Sequence, residues 1–203
     1  MQRGRGGNSM PDFNARGFAN AYVADLQSAL TNLDMDAIDD FVAAVEGVMD
    51  NGGTVHFIGN GGSAGTPSHS AGDWSKELAL PTLCHMDNIS GLTAWANDTD
   101  YENVFVGALQ TFLRPGDIVV GYSGSGNSAN VINGLSFAKQ QGCITVGVGG
   151  NYHAQGGGKM ATMVDISIVA DTQSMERIED VQLVVNHIVK ETIKAKRGIN
   201  SSC

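Results

Sequence analysis

Asp117-Ile118-Val119-Val120-Gly121-Tyr122-Ser123-Gly124-Ser125-Gly126-Asn127-Ser128-Ala129-Asn130-Val131-Ile132 is the stretch whose reading decides the fold. Its apolar start reads as a buried strand, and Val131 onward reads as an amphipathic helix. Between them lie glycines and small hydroxyl residues. The first N–H groups of a helix lack partners inside the helix, and the helix dipole adds partial positive charge there. Glycines let backbone approach a ligand, and serine hydroxyls add donors, so the stretch reads as a phosphate cradle. Ser123 or Ser128 alone would read as a helix cap; the group together reads as a phosphate site. There is no P-loop lysine, and the glycines run G-x-x-G-x-G rather than in the dinucleotide spacing. A phosphorylated small molecule is therefore expected, and a dinucleotide-dependent oxidoreductase is not.

Working outward, Thr54-Val55-His56-Phe57-Ile58 reads as a first strand, followed by a second glycine-rich loop, Gly59-Asn60-Gly61-Gly62-Ser63. A helix is expected to follow, with Pro67 in its first turn, running to about Leu78. On it His69 and Asp73 are four apart and share a face. Further strands are expected at Pro81–Met86, Ile144–Val148 and Val164–Val169. Helices are expected over Tyr101–Leu113, after the cradle to about Gly142, and over Glu176–Lys196. Asn97 and Asp98 read as a polar loop, and Asn151–Lys159 as a glycine-laden one. Strands alternating with helices imply an α/β fold, a parallel sheet flanked by helices on both faces, with ligands at the carboxyl ends of the strands. Two further helices, about Pro11–Leu30 and Asp34–Val48, precede the sheet as an N-terminal helical extension. Their apolar stripes suit packing on the sheet or a subunit interface.

The 203 residues suffice for one domain, expected over 11–203, behind a disordered tail at 1–10. The net charge of −9 disfavours nonspecific binding to nucleic acid or to an anionic membrane. Cys84, Cys143 and Cys203 form neither a disulfide framework nor a C-x-x-C signature, which suits a reducing cytoplasm. No apolar signal core or membrane span is legible. His56, His85 and His153 show no pattern of partners.

The strings Gly59-Asn60-Gly61-Gly62-Ser63, Ser123 through Ile132 and Gly157-Gly158-Lys159-Met160-Ala161 resemble the sugar isomerase (SIS) domain, and within it the phosphoheptose isomerases. The likeness runs over nearly the whole chain. It implies an SIS-type, Rossmann-like three-layer sandwich. It also implies conversion of sedoheptulose 7-phosphate to D-glycero-D-manno-heptose 7-phosphate, a homotetramer with active sites at subunit interfaces, and zinc. Carried over by motif, the substrate loop is Asn60, Gly61 and Gly62, with Asn97 and Asp98 as a polar pair. The phosphate loop is Ser123, Gly124, Ser125 and Ser128, and an acidic residue falls at Glu176. The metal set is His69, Asp73, Glu179 and His187. The family has Glu where this chain has Asp73, and Gln where it has Glu179. Both changes keep oxygen ligands. The segment between His69 and Asn97 is shorter than in the family and lacks its Tyr/Arg-containing piece.

The chemistry implied is aldose–ketose isomerisation through an enediol, with Asp73 as base, or Glu179 if that role has moved, and His187 as acid. Two other readings share the scaffold: an isomerase or epimerase of a different phosphosugar, and a non-catalytic protein that binds a sugar phosphate.

Overall fold

The computed structural model describes residues 13–199; the expected tail at 1–10 and Cys203 lie outside them. Helices α1 (Ala15–Thr31) and α2 (Met35–Asn51) come first. The Asp34 side chain accepts from the N–H groups of Asp36 and Ala37, and left-handed Gly52 ends α2. The sheet and its crossovers follow: β1 (Val55–Gly59), α3 (Gly62–Leu78), β2 (Thr82–Cys84), α4 (Ile89–Asp98), α5 (Val104–Phe112), β3 (Ile118–Ser123), α6 (Ala129–Gln140), β4 (Ile144–Gly150), α7 (Gly158–Met163), β5 (Ile166–Ala170) and α8 (Met175–Arg197). All pairings are parallel, in the order β2-β1-β3-β4-β5.

Strand side chains alternate between two cores, as a sheet covered on both faces requires. Val55, Phe57, Ile118, Val120, Tyr122, Val146, Val148 and Ile168 face α2, α3 and α8. Ile58 and Val119 face α5, α6 and α7 through Phe105, Leu109, Val131, Leu135 and Met160. On this second face Gly121 and Gly147 replace larger residues. A Cβ on Gly121 would come within 2.7 Å of Leu135, and one on Gly147 within 2.9 Å of Met160. The missing side chains let α6 and α7 pack close to the sheet. Among the described residues no helix is long and apolar enough to cross a membrane.

Five local readings change. Asn97 and Asp98 are the last residues of α4, not a loop. Gly158–Met163 forms α7, where the glycines read as loop, and β5 ends one residue later than expected. The expected helix from Tyr101 begins as a 3-10 turn at Tyr101–Asn103 before α5. Pro67 is inside α3 rather than in its first turn. Proline has no N–H to give Ser63, four residues back, and the Ser63 carbonyl lies where a Cβ on Gly59 would be, 2.0 Å away.

Candidate active site

The register of β1 on β3 brings Gly59 beside Tyr122, so the two glycine-rich loops emerge side by side at the carboxyl edge of the sheet. A reciprocal amide pair joins them. Asn60 Nδ2 donates to Asn130 Oδ1 at 2.8 Å, and Asn130 Nδ2 returns a bond to Asn60 Oδ1 at 2.9 Å. Tyr101 also donates to Asn60 Oδ1, at 2.9 Å. Gly61 turns the chain into α3 with φ 58° and ψ −127°, a region open to glycine.

In the loop expected to hold phosphate, buried Ser123 and half-buried Ser128 place their hydroxyl oxygens 3.0 Å apart. Ser128 is the residue before α6, and its side chain makes no capping bond, its hydroxyl meeting Ser123 instead. The Ser125 hydroxyl accepts from the Asn127 N–H at 3.2 Å. Gly126 packs against Gly157 so closely that a Cβ would lie 1.6 Å from the Gly157 carbonyl oxygen. The Asn127 carboxamide oxygen accepts from the Lys159 N–H at 3.0 Å. The third string of the resemblance therefore braces the serine-rich loop.

Helix α8 crosses both loops. Met175 lies on Gly124, and the Glu179 carboxylate lies on Gly62, each 2.2 Å from where a Cβ would stand. Burial, with the neighbouring charges of Glu176 and Asp180, pushes the Glu179 carboxyl above its ordinary value. Glu176, in the first turn of α8, accepts from the Ser174 hydroxyl at 2.9 Å. Asn97 Nδ2 donates to Asp98 Oδ1 at 2.9 Å, and both residues are exposed.

Farther along α8, His187 meets α3. His69 Nε2 and His187 Nε2 are 3.1 Å apart, and Asp73 Oδ2 is 4.0 Å from His69 Nε2. The ligand atoms of His69, Asp73 and His187 all lie within 4.8 Å of one another. Two nitrogens at tetrahedral zinc, each about 2.0–2.1 Å from it, stand about 3.3 Å apart, so the imidazole pair fits such an ion, and Asp73 adds an oxygen donor. Glu179 is not in this group. Its carboxylate lies against Gly62 instead, about two turns before His187 on the same helix.

Lys190 was not among the expected residues. Its ammonium is buried and bonds Asp73 Oδ2 at 2.5 Å and Glu77 Oε1 at 3.4 Å. Lys194 bonds the other oxygen of Glu77. Asp73 and Glu77 on α3, four apart, thus face Lys190 and Lys194 on α8, also four apart. That repeat of spacing is the signal in the sequence that could have revealed the ladder. Asp73 is pulled in two directions: burial raises its pKa, while the Lys190 bond and charge and the two histidines lower it, leaving it below its ordinary value. Asn130 and Tyr101 were likewise missed as parts of the loop bridge.

Comparison with known proteins agrees with this geometry. The SIS domain family model matches residues 20–150. The chain is similar to a probable phosphoheptose isomerase of Thermoplasma volcanium, 36% identical, covering 85% of this chain and 88% of that protein. It is similar to the phosphoheptose isomerase of Chlorobaculum tepidum, 33% identical, covering 87% of each chain. Among solved structures, the phosphoheptose isomerase of Neisseria gonorrhoeae superposes with a TM-score of 0.82 at 26% identity, covering 89% of this chain and 99% of that one. An SIS sheet, a serine-rich loop before α6 and a histidine pair between α3 and α8, with relatives of one kind along nearly its whole length, make this chain a member of the SIS-domain phosphoheptose isomerase family.

Proposed function

We propose that the protein is an aldose–ketose isomerase that converts sedoheptulose 7-phosphate to D-glycero-D-manno-heptose 7-phosphate. The observation that carries this reading is one helix, α8, joining the phosphate loop, the Asn60–Gly62 loop and the histidine pair. Ser123, Ser125, Ser128 and the start of α6 hold the phosphate, and that binding orients the distant reacting end. The base takes the proton on C1 of the ketose, and the same proton equivalent returns at C2. His187 moves the proton between the two oxygens of the enediol.

Two carboxylates can be the base, and their surroundings differ. Asp73 is held ionised by Lys190, which weakens it as a base. Glu179 is raised by burial and by like charge, and it lies on the Gly62 loop. These environments favour Glu179 as the base, with Asp73 serving the histidine pair. His69, Asp73 and His187 would hold zinc, with Glu179 as a fourth ligand only in a rearranged site. An ion held there would supply polarisation of the carbonyl oxygen and stabilisation of the enediolate charge.

The assembly we propose is a homotetramer. Supporting it, α1 exposes Phe18 and Val23, with Phe13 just before it, large apolar groups that a monomer leaves in water. A cytoplasmic site of action is supported by free cysteines at Cys84 and Cys143.

The test is incubation of the purified protein with sedoheptulose 7-phosphate, with and without a chelator, followed by NMR of the anomeric protons. Aldoheptose signals lost with chelator and restored by zinc are expected. A folded protein that yields no aldoheptose refutes the heptose reading and leaves the other phosphosugars or a binding-only role.

A further inference from the structure

A second polar chain lies within the molecule, unused by the proposed reaction. Asp117 Oδ1 accepts from the Thr54 N–H, and Oδ2 accepts from the Arg114 N–H, both at 2.8 Å. Asp117 Oδ2 is also 3.2 Å from His56 Nε2, and His56 Nδ1 is 3.0 Å from His85 Nε2. His56 is fully buried and His85 is 7% exposed. A carboxylate that already accepts two N–H bonds can only accept from His56, so His56 carries its proton on Nε2. Its Nδ1 then accepts, and His85 must donate from its own Nε2. Neutral His85 is left with a bare lone pair on Nδ1. That nitrogen has no hydrogen-bond partner among the described residues.

His85 lies in the wall of a cavity of about 830 Å³, bounded by α3, β2, α4 and α5. Its lining includes Ala71, Leu83, Leu92, Trp95 and Phe112, with Asp87 as the one charged side chain. No Lys or Arg lines it, and the Asp87 carboxylate disfavours an anionic ligand; the volume is that of a small-molecule site. Ala71, Gly72 and Ser75 present a different face of α3 from His69 and Asp73, so the cavity is separate from the histidine pair.

We propose that this cavity is a binding site for a small, uncharged aromatic molecule bearing one O–H or N–H donor, which His85 Nδ1 accepts while Trp95 and Phe112 flank the ring. The acceptor is set by a hydrogen-bond chain anchored in the sheet, so it needs no change of tautomer to bind a donor. A molecule of the same shape without the donor would cover that nitrogen and leave it unpaired.

The experiment uses phenol and anisole as probes against the full-length protein, with the ring nitrogens of histidine labelled with 15N and followed by NMR. Phenol is expected to shift the His85 Nδ1 resonance saturably, and anisole to bind at least tenfold more weakly. His85→Leu, which removes the acceptor and leaves an apolar side chain, should erase the preference for phenol, read from the ring nitrogens of the neighbouring His56. Gly72→Leu is the second variant, because a Cβ at Gly72 meets nothing within 4 Å and the longer side chain would occupy part of the cavity that Gly72 lines. With Gly72→Leu both probes should lose binding, read by the same NMR titration. Equal binding of phenol and anisole, unchanged phenol binding in either variant, or no saturable shift for the wild-type protein overturns the proposal.

Discussion

Lys190 Nζ is bonded to the same Asp73 oxygen, Oδ2, that faces His69. An ammonium thus stands where it neutralises one member of the cluster that would hold a metal. A divalent cation must therefore share that carboxylate with a resident positive charge, at an electrostatic cost.

Replacing the ammonium by an apolar chain of similar length separates two effects. Lys190→Met should bind zinc roughly tenfold more tightly, since one nearby positive charge is gone. The same variant should lose about 1–3 kcal/mol of stability, because Asp73 and Glu77 lose a buried partner. Calorimetric titration of the metal-free protein and urea denaturation read the two separately. Weaker zinc binding in Lys190→Met would show that the lysine orients Asp73 for the metal rather than competing with it.

The two carboxylates predict different kinetic phenotypes. Glu179→Gln keeps shape and removes basicity, so kcat should fall by about 10²–10⁴-fold with little change in KM. Asp73→Asn should act mainly through the metal, with activity partly recovered by excess zinc. Steady-state assays at graded zinc concentrations distinguish them. A loss in Asp73→Asn that zinc does not touch, beside an active Glu179→Gln, would return the base to Asp73.

Ser128→Ala removes a hydroxyl that makes no capping bond, so helix stability should hold while phosphate binding weakens. KM for the phosphosugar should rise by about tenfold, as expected for loss of a hydrogen bond to a charged group. Inhibition by inorganic phosphate should weaken in parallel. A thermal midpoint within a degree or two of the parent checks that the fold is intact.

Acid should loosen the fold before the ordinary carboxylates protonate. Burial lowers His56 against the raising effect of Asp117, and burial with the adjacent His56 brings His85 down to about 3. An unfolded histidine titrates near 6.5, so below that pH the unfolded chain binds more protons than the folded one. Stability should therefore fall as pH drops from about 6.5 toward 3, by up to about 1.4 kcal/mol per pH unit from His85, with His56 acting in the same direction. Asp73, Glu77, Glu46 and Asp165 are all held below their ordinary values and lose their contribution at more acid pH. Urea midpoints at pH 7.5, 6.5 and 5.5 isolate the histidine window, and His85→Leu should flatten the slope there. An equally steep slope in that variant would assign the acid sensitivity elsewhere.

Much of the architecture was legible because the sheet is buried on both faces. Ile118–Val120 is a continuous apolar run, Val55–Ile58 is one broken only by His56, and each leads into glycines, which fixes strand, loop and helix together. The positions of Asn97, Asp98 and α7 were obscured because turn-forming residues also occupy helix ends, and only tertiary contact decides between them. The histidine pair was expected from the His69–Asp73 spacing and the family motif. Lys190 was hidden because a lysine in a long helix reads as a solvated face, and burial by α3 is a property of the fold rather than of the helix. The His56–His85 contact was hidden for a related reason. It depends on β2 lying beside β1, a pairing between strands that no local pattern encodes.

The bridge between Asn60 and Asn130 bears on chemical ageing. Asn60 precedes Gly61, and asparagine followed by glycine is the pair most open to succinimide formation, in which the next backbone nitrogen attacks the side-chain carbonyl. Here that carboxamide is fixed by Asn130 and Tyr101, so it cannot swing onto the Gly61 nitrogen while the loops are joined. Conversion of Asn60 to aspartate would replace an N–H donor with an oxygen facing the Asn130 oxygen and part the two loops. The lifetime of the site in storage is thus set by how often the loops open, and a substrate or phosphate that closes them should preserve it.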